Sequence, residues 1–210
     1  EYFLKYKSKK NILVEPVPYN LKELKDNTKQ FKNIIIEESA ISDKDELVSF
    51  YFVKRESINK LKKHWASGIG SFDKQHLLNH KRKRFLITED DIDTVKIKCL
   101  SFQSFVEKYS IKCIDRLMLD VEGAEVEVLE TFPFDKVNLC CAAIEHNYTE
   151  AEQKIDKIMF QNGFKRVLNK FSGHDGFYVN EANLTSAPPY MEQFEKVKNH
   201  GRATTARFPK

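Results

Sequence analysis

The stretch LMLDVEGAEVEVLETF, residues 117–132, decides how the rest of the chain is interpreted. Its first three residues are apolar and predict the end of a buried strand, whereas residues 123–132 carry apolar side chains at helical spacing. Asp120, Glu122 and Gly123 stand at the transition. A carboxylate at the rim of a hydrophobic core needs a partner or a ligand. We therefore treat this junction as a candidate functional site.

Length and composition indicate one globular domain. The chain has 210 residues, of which 41% are hydrophobic, and this is enough to bury a core. Its 35 basic and 31 acidic residues leave a net charge of only +4, which does not indicate a nucleic-acid partner. No apolar run approaches the roughly 20 residues of a membrane span. We expect a soluble protein.

The N-terminus and the cysteines bear on location. The first ten residues are amphipathic and basic, so no signal peptide is predicted, and the chain begins with Glu1 rather than Met, which indicates processing or truncation. No CxxC motif occurs, which disfavours a structural zinc site. We interpret the cysteines as reduced thiols and predict a cytoplasmic location. They are Cys99, Cys113, Cys140 and Cys141.

Short apolar runs alternate with segments of helical spacing along most of the chain. This alternation predicts an α/β fold with a mostly parallel central sheet, helices on both faces and an antiparallel C-terminal hairpin. Residues 1–184 are expected to form the domain and residues 185–210 a polar tail. The predicted strands cover residues 11–16, 33–42, 47–53, 95–100, 114–119 and 138–145.

Residues 54–93 interrupt this alternation. The segment is polar and too long for an idle loop in a compact domain, so we interpret it as an insertion that acts as a lid or acceptor platform. Trp65 is a candidate stacking surface within it. The run HKRKR, residues 80–84, is either a solvated charge run or a site for a phosphate group.

Polar residues follow four of the predicted strands. Ligands of parallel α/β sheets bind beyond the carboxyl ends of the strands. Glu15 is either a surface residue or a ligand of ribose hydroxyls, and Glu122 and Glu125 are expected in a first helical turn, where they favour the helix dipole. The strand-end residues are Glu15, Ser39, Ala40, Ser42, Asp43, Asp120, Glu145, His146 and Asn147.

Asp120, Glu145 and His146 form the candidate catalytic group. Two interpretations stay open. The three side chains can hold Mg²⁺ or Mn²⁺, which prefer oxygen ligands and accept imidazole. Alternatively, His146 acts as a general base that a carboxylate orients.

Residues 114–132 resemble the signature of the FkbM-type methyltransferases, which use S-adenosylmethionine and have a Rossmann-like methyltransferase fold. Residues 14–27 are similar to the acidic-Pro stretch after the second strand of that family, and residues 38–43 and 144–147 to the ends of its third and fifth strands. The resemblance extends from about residue 11 to residue 180. It implies that the cofactor is held by Glu15, Pro16, Ala40, Ile41 and Asp120.

The chain also departs from this family. Ser101 stands where the family often has Asp, and Met118 where it often has Lys. No strand with a Gly-containing loop precedes Glu15, although such a loop holds the methionine part of the cofactor in the family. That strand would be central in the sheet, between the strands that end at Glu15 and Asp120, so we expect the chain as given to lack it.

The resemblance implies O-methylation of a hydroxyl group on a sugar, glycan or natural product. A small-molecule or glycan acceptor is the expected partner, and a homodimer is compatible with the sequence. The alternative is a non-catalytic, methyltransferase-like interaction or structural module without the cofactor loop. Methylation of nucleic acid is disfavoured by the modest charge and by the lack of an aromatic-Pro-Pro motif after the catalytic strand.

Overall fold

The computed structural model describes residues 10–61, 64–79, 87–147, 149–170 and 172–186. Within these residues the chain forms a mixed α/β structure. The helices are α1 (Pro18–Thr28), α2 (Arg55–Leu61), α3 (Lys74–Leu78), α4 (Phe102–Tyr109), α5 (Glu125–Glu130) and α6 (Ala151–Gln161). The strands are β1 (Asn11–Val14), β2 (Ile34–Glu37), β3 (Ala40–Ser42), β4 (Glu46–Val53), β5 (Gly70–Ser71), β6 (Ile92–Ser101), β7 (Cys113–Leu119), β8 (Asn138–Glu145), β9 (Lys165–Val167) and β10 (Asp175–Val179). No helix in the described ranges is long and apolar enough to cross a membrane.

The strands are paired in three sheets over the described ranges rather than in one. β1 pairs with β2 in parallel; β3, β6, β4 and β5 form a mixed sheet; and β7, β8, β10 and β9 form another. Only the pairs β1–β2, β3–β6 and β7–β8 are parallel. The C-terminal antiparallel hairpin is confirmed by β9 and β10. The single, mostly parallel sheet is not, because the predicted strand at residues 33–42 splits into β2 and β3, which join different partners.

The strands β1 and β7 each have one edge without a strand partner among the described residues. A cavity of about 800 Å³ lies between them, and residues of both strands line it. This is the place where the family resemblance puts a central strand.

A main hydrophobic core lies under β7, β8 and the helices α4, α5 and α6. Apolar residues at helical spacing on α6, such as Ile155 and Met159, are fully buried against Tyr178 of β10. Phe102, Phe105 and Phe132 form a chain of aromatic contacts on the other side of this core. Strands β7 and β8 are therefore held firmly, and their carboxyl ends are positioned together.

The insertion at residues 54–93 is folded where it is described. It contains α2, β5 and α3, and β5 pairs with β4. It has a small core of its own. Asn20 of α1 donates a hydrogen bond to a carbonyl group of the insertion, and Tyr19 of α1 donates one to the carbonyl group of the adjoining Val53. The members of this core are Val53, Ile58, Ala66, Ile69, Leu77, Ile87 and Ile92. Residues 80–84 and the side chain of Trp65 lie outside the described part of the chain.

Candidate active site

The cavity between β1 and β7 collects the predicted cofactor residues. Its walls are largely apolar and come from β1, β7, α4 and the insertion, which contributes Gly68, Gly70 and Phe72. All five residues that the family resemblance assigned to the cofactor line it: Glu15, Pro16, Ala40, Ile41 and Asp120. The sequence prediction had placed these residues at three different strand ends, and the fold brings them to one space.

Glu15 lies directly after β1, where the chain turns into α1. Its carboxylate accepts a hydrogen bond from the Val17 amide at 2.8 Å, and it is half-buried. Burial raises the pKa of Glu15, and the bonds from Val17 and the Asn20 side chain partly oppose this effect. No cation pairs with Glu15 in the described ranges. Glu15 lines the cavity, where its carboxylate can accept hydrogen bonds from hydroxyl donors.

The loop between β7 and α5 is shaped by two left-handed residues, Glu122 (φ 53°) and Gly123 (φ 105°). A helix cannot include them, so α5 begins at Glu125, two residues later than predicted. The placement of Glu122 in the first helical turn was therefore wrong. Glu125 is buried, and its carboxylate accepts hydrogen bonds from the amides of Val121 (2.9 Å) and Gly123 (3.2 Å). Glu125 thus holds the loop that presents Asp120.

Asp120 and Glu145 meet at the carboxyl ends of β7 and β8, and their carboxyl groups are hydrogen-bonded to each other. Burial, followed by the charge of Asp120, raises the pKa of Glu145 to about 8. Burial and the neighbouring Glu122 and Glu125 also raise the pKa of Asp120, although its side chain is exposed toward the cavity. Two carboxyl groups that are close enough to share a hydrogen bond cannot both ionise easily, so near neutral pH the pair holds one proton.

The same pair can also take part in a cation site. Oxygen atoms of Asp120, Glu125 and Glu145 all lie within 4.8 Å of one another. This donor set contains only carboxylates, which suit Mg²⁺ or Mn²⁺. Glu125 joins the predicted set, whereas the predicted His146 does not.

His146 is not part of the cluster of Asp120, Glu125 and Glu145. It is 3% exposed, its Nε2 is 3.2 Å from the Arg166 guanidinium, and the same nitrogen is 3.7 Å from the Glu152 carboxylate. Arg166 also pairs with Glu152 (2.6 Å) and Asp156 (2.9 Å). The structure therefore places His146 in a network that joins α6 to the β9–β10 hairpin, and does not bring it to Asp120 and Glu145.

Comparison with protein-family models assigns the chain to a family. The Methyltransferase FkbM domain matches residues 1–172, which is most of the chain. The chain belongs to this family. The chain matched no curated protein and no solved structure in the corresponding comparisons. FkbM membership indicates a methyltransferase, and members of the FkbM family generally use S-adenosylmethionine.

The cavity fits such a cofactor. Small-molecule sites in proteins span roughly 300–1,000 Å³, have mostly apolar walls and carry a few fixed polar groups. The cavity here has about 800 Å³ in total, which includes the space between β1 and β7 where the family resemblance puts a strand, and its carboxyl end has apolar walls and the half-buried acid Glu15. Apolar walls suit an adenine ring, and a fixed carboxylate suits ribose hydroxyls. The resemblance and the lining residues therefore point to the same ligand class.

His76 was missed by the sequence reasoning. It belongs to α3 of the insertion, and its Nε2 lies 3.5 Å from the Glu122 carboxylate. The neighbouring Glu122 carboxylate raises the pKa of His76 above its ordinary value. Ser71 of β5 also donates to the Glu122 carbonyl at 3.2 Å. The insertion thus contacts the β7–α5 loop directly, and the local sequence contains no signal for this contact.

The raised pKa of Glu145 predicts a pH-dependent stability. A carboxyl group whose pKa rises on folding stabilises the folded state below about pH 4.5, and this contribution is lost as the pH rises through about 8. Glu145→Gln removes the ionisable group, so we expect the variant to be more stable than wild type by about 1–2 kcal/mol at pH 8–9, and the difference to shrink toward pH 5. Urea unfolding at several pH values measures this difference. A difference in the free energy of unfolding that stays constant across this pH range would show that the pKa of Glu145 is not raised in the folded protein.

Proposed function

We propose that the protein is an S-adenosylmethionine-dependent O-methyltransferase that acts on a hydroxyl group of a sugar, glycan or natural product. The observation that carries the proposal is the cavity in which Glu15 and Asp120 stand at two strand ends beside apolar walls. The FkbM domain match supports the methyltransferase class. The proposal that the methyl group goes to an oxygen atom rests on the acidic pair, because a carboxylate is suited to orient a hydroxyl group and receive its proton.

The cofactor supplies an electrophilic methyl group when it is bound. The chain then has to align the acceptor hydroxyl with that group and take up its proton. Glu15 is the candidate for the ribose hydroxyls, with Pro16, Ala40 and Ile41 beside it. These four residues would hold the cofactor in the cavity that Asp120 also lines.

The pair of Asp120 and Glu145 is the candidate proton acceptor. Because the pair holds one proton, one of its oxygens is charged and free to accept the hydroxyl hydrogen, while the protonated partner disperses the charge. His146 was the other candidate base, but its ring faces Arg166 and Glu152. We therefore assign the proton transfer to the carboxyl pair, with Mg²⁺ or Mn²⁺ at the same oxygens as the alternative route.

Cofactor binding tests the proposal. We expect the full-length gene product to bind S-adenosylmethionine and its demethylated product in calorimetry, and to transfer a labelled methyl group to hydroxylated acceptors. A protein that binds neither compound would instead be the non-catalytic, methyltransferase-like module.

The insertion is proposed to order over bound ligands. Gly68, Gly70 and Phe72 line the cavity, and Ser71 and His76 contact the β7–α5 loop. We expect amide hydrogen exchange of residues 66–79 to slow when cofactor and acceptor are added. The β9–β10 hairpin, which lies apart from the cavity lining, serves as an internal control. Equal exchange of residues 66–79 with and without both ligands would exclude the lid role.

A location in the cytoplasm and reduced cysteines remain predictions from the sequence. They are compatible with the described thiols, because Cys99, Cys113, Cys140 and Cys141 are all free of disulfide bonds.

A further inference from the structure

The opposite ends of β7 and β8 bring two thiols and a carboxylate together. The sulfur atoms of Cys113 and Cys140 and a carboxylate oxygen of Asp115 all lie within 4.8 Å of one another. In the parallel register of these strands, Ile114 faces Leu139 and Arg116 faces Cys141, so Asp115 stands beside Cys140. Alternate residues of a strand share a face, and Cys113 and Asp115 therefore project to the same side.

We propose that Cys113, Asp115 and Cys140 form a binding site for Zn²⁺. Thiolate sulfur and carboxylate oxygen are ordinary zinc ligands, and two sulfurs held tetrahedrally at about 2.3 Å from the metal lie about 3.8 Å apart. The observed separations need to contract by about 1 Å or less, which side-chain rotation can provide. Three protein ligands leave a fourth position open to water.

The site has an entry path and fixed surroundings. Cys113 is exposed and lines the cavity between β1 and β7, whereas Cys140 is 2% exposed, so in this structure an ion reaches the buried thiol through that cavity. The Cys140 thiol donates to the Asn183 carbonyl at 3.3 Å, and the Cys141 thiol donates to the Asp115 carbonyl at 3.0 Å. The bond from Cys141 fixes the backbone of β7 at Asp115, whereas the bond from Cys140 would be released when its thiol gives up the proton to bind the ion.

This site lies at the opposite end of β7 from the acidic pair, although Cys113 lines the same cavity as Asp120. β7 runs from Cys113 to Leu119, and at about 3.3 Å per residue the thiol lies roughly 20 Å from Asp120. The donor chemistry also differs, since the acidic pair offers only oxygen. The proposal does not rest on the methyltransferase activity.

Cobalt titration tests the site. We expect Co²⁺, added to the fully reduced chain at pH 8, to give the near-ultraviolet charge-transfer band of thiolate–cobalt bonds, and Zn²⁺ to displace it. Cys113→Ser, a change at an exposed position, should weaken Co²⁺ binding at least tenfold, and Cys140→Ser should do the same. Cys99→Ser is the matched control, because Cys99 is a buried thiol on β6 outside the site, and it should keep the band.

Two results would overturn the proposal. One is the absence of a thiolate–cobalt band from the reduced wild-type protein. If mass spectrometry of the oxidised protein then finds Cys113 and Cys140 joined as a disulfide, the two thiols form a redox pair and not a metal site. The other is a band of equal strength in wild type and Cys113→Ser. Because Asp120→Asn should leave the band unchanged, the result is independent of the proposed enzyme activity.

Discussion

Replacing Asp120 by asparagine is expected to lower the turnover number for methyl transfer at least 100-fold. Asparagine keeps the shape of the side chain but cannot accept the acceptor proton, and proton transfer by a positioned group contributes roughly 10²–10⁴-fold. The folded state should not suffer, because asparagine can still hydrogen-bond to Glu145 and no longer places a negative charge beside it. Turnover with saturating cofactor and thermal unfolding, measured on the same sample, separate the two effects.

Glu127→Gln is the matched control for Asp120→Asn. Glu127 is an exposed carboxylate on the helix that follows the β7–α5 loop, and it does not line the cavity. Near-normal turnover of Asp120→Asn would show that the carboxyl pair is not the proton acceptor. A chelator distinguishes the two routes: loss of activity that Mg²⁺ or Mn²⁺ restores supports the cation, whereas no effect, together with a rate that falls at acid pH, supports the carboxyl pair alone.

Glu15→Ala is expected to weaken binding of S-adenosylmethionine more than tenfold, which corresponds to about 1.5 kcal/mol or more. A hydrogen bond to a charged group contributes about 1.5–3 kcal/mol, and the carboxylate is expected to accept both ribose hydroxyls. Calorimetric titration measures the change. Adenine should bind equally well to wild type and variant, because it lacks the ribose.

Glu38→Ala provides the control for Glu15→Ala. Glu38 is an exposed acid after the neighbouring strand β2, and it pairs with Lys25 at 2.5 Å. Its removal should leave the affinity unchanged. If Glu15→Ala binds the cofactor as tightly as Glu38→Ala does, Glu15 is not the ribose ligand.

The strand ends were predictable because their signal is local. An apolar run followed by a carboxylate places Glu15 and Asp120 at the rim of the core without knowledge of the partner strands. The same signal also marks Glu37 at the end of β2, yet Glu37 is buried and accepts hydrogen bonds from Lys108 (2.5 Å) and Tyr109 (2.8 Å). A strand-end acid with a cation and a phenol of its own is structural, and only the tertiary contacts distinguish it from Glu15.

The strand pairing and the role of His146 were not predictable, because both depend on distant residues. β3 and β4 pair with β6, some fifty residues further along the chain, and the pattern of apolar residues does not encode the choice of partner. Likewise, His146 follows Glu145 in sequence, but Arg166, which lies twenty residues later, determines its surroundings.

One departure from the family pattern has a local explanation in the fold. Ser101 stands where the family often has an acid, and it begins α4 by accepting a hydrogen bond from the Ser104 amide. A carboxylate is nevertheless present at this helix end, because Asp45 accepts bonds from the Ser101 amide (2.6 Å) and the Ser104 hydroxyl (2.5 Å). The acid comes from the β3–β4 connection instead of from the strand itself.

The C-terminal sheet is built from one contiguous stretch of the sequence, and this has a consequence for the order of folding. The strands β7, β8, β9 and β10 and the helices α5 and α6 all come from residues 113–179, whereas the β4–β6 pair joins positions as far apart as Glu46 and Cys99. Pairing across long sequence separations slows folding, so the C-terminal unit should acquire hydrogen-exchange protection first during refolding. Glu15 joins Asp120 only after the N-terminal half has docked. A ligand held by both residues would therefore bind only the completed fold, and added cofactor should stabilise the protein without accelerating the first folding step.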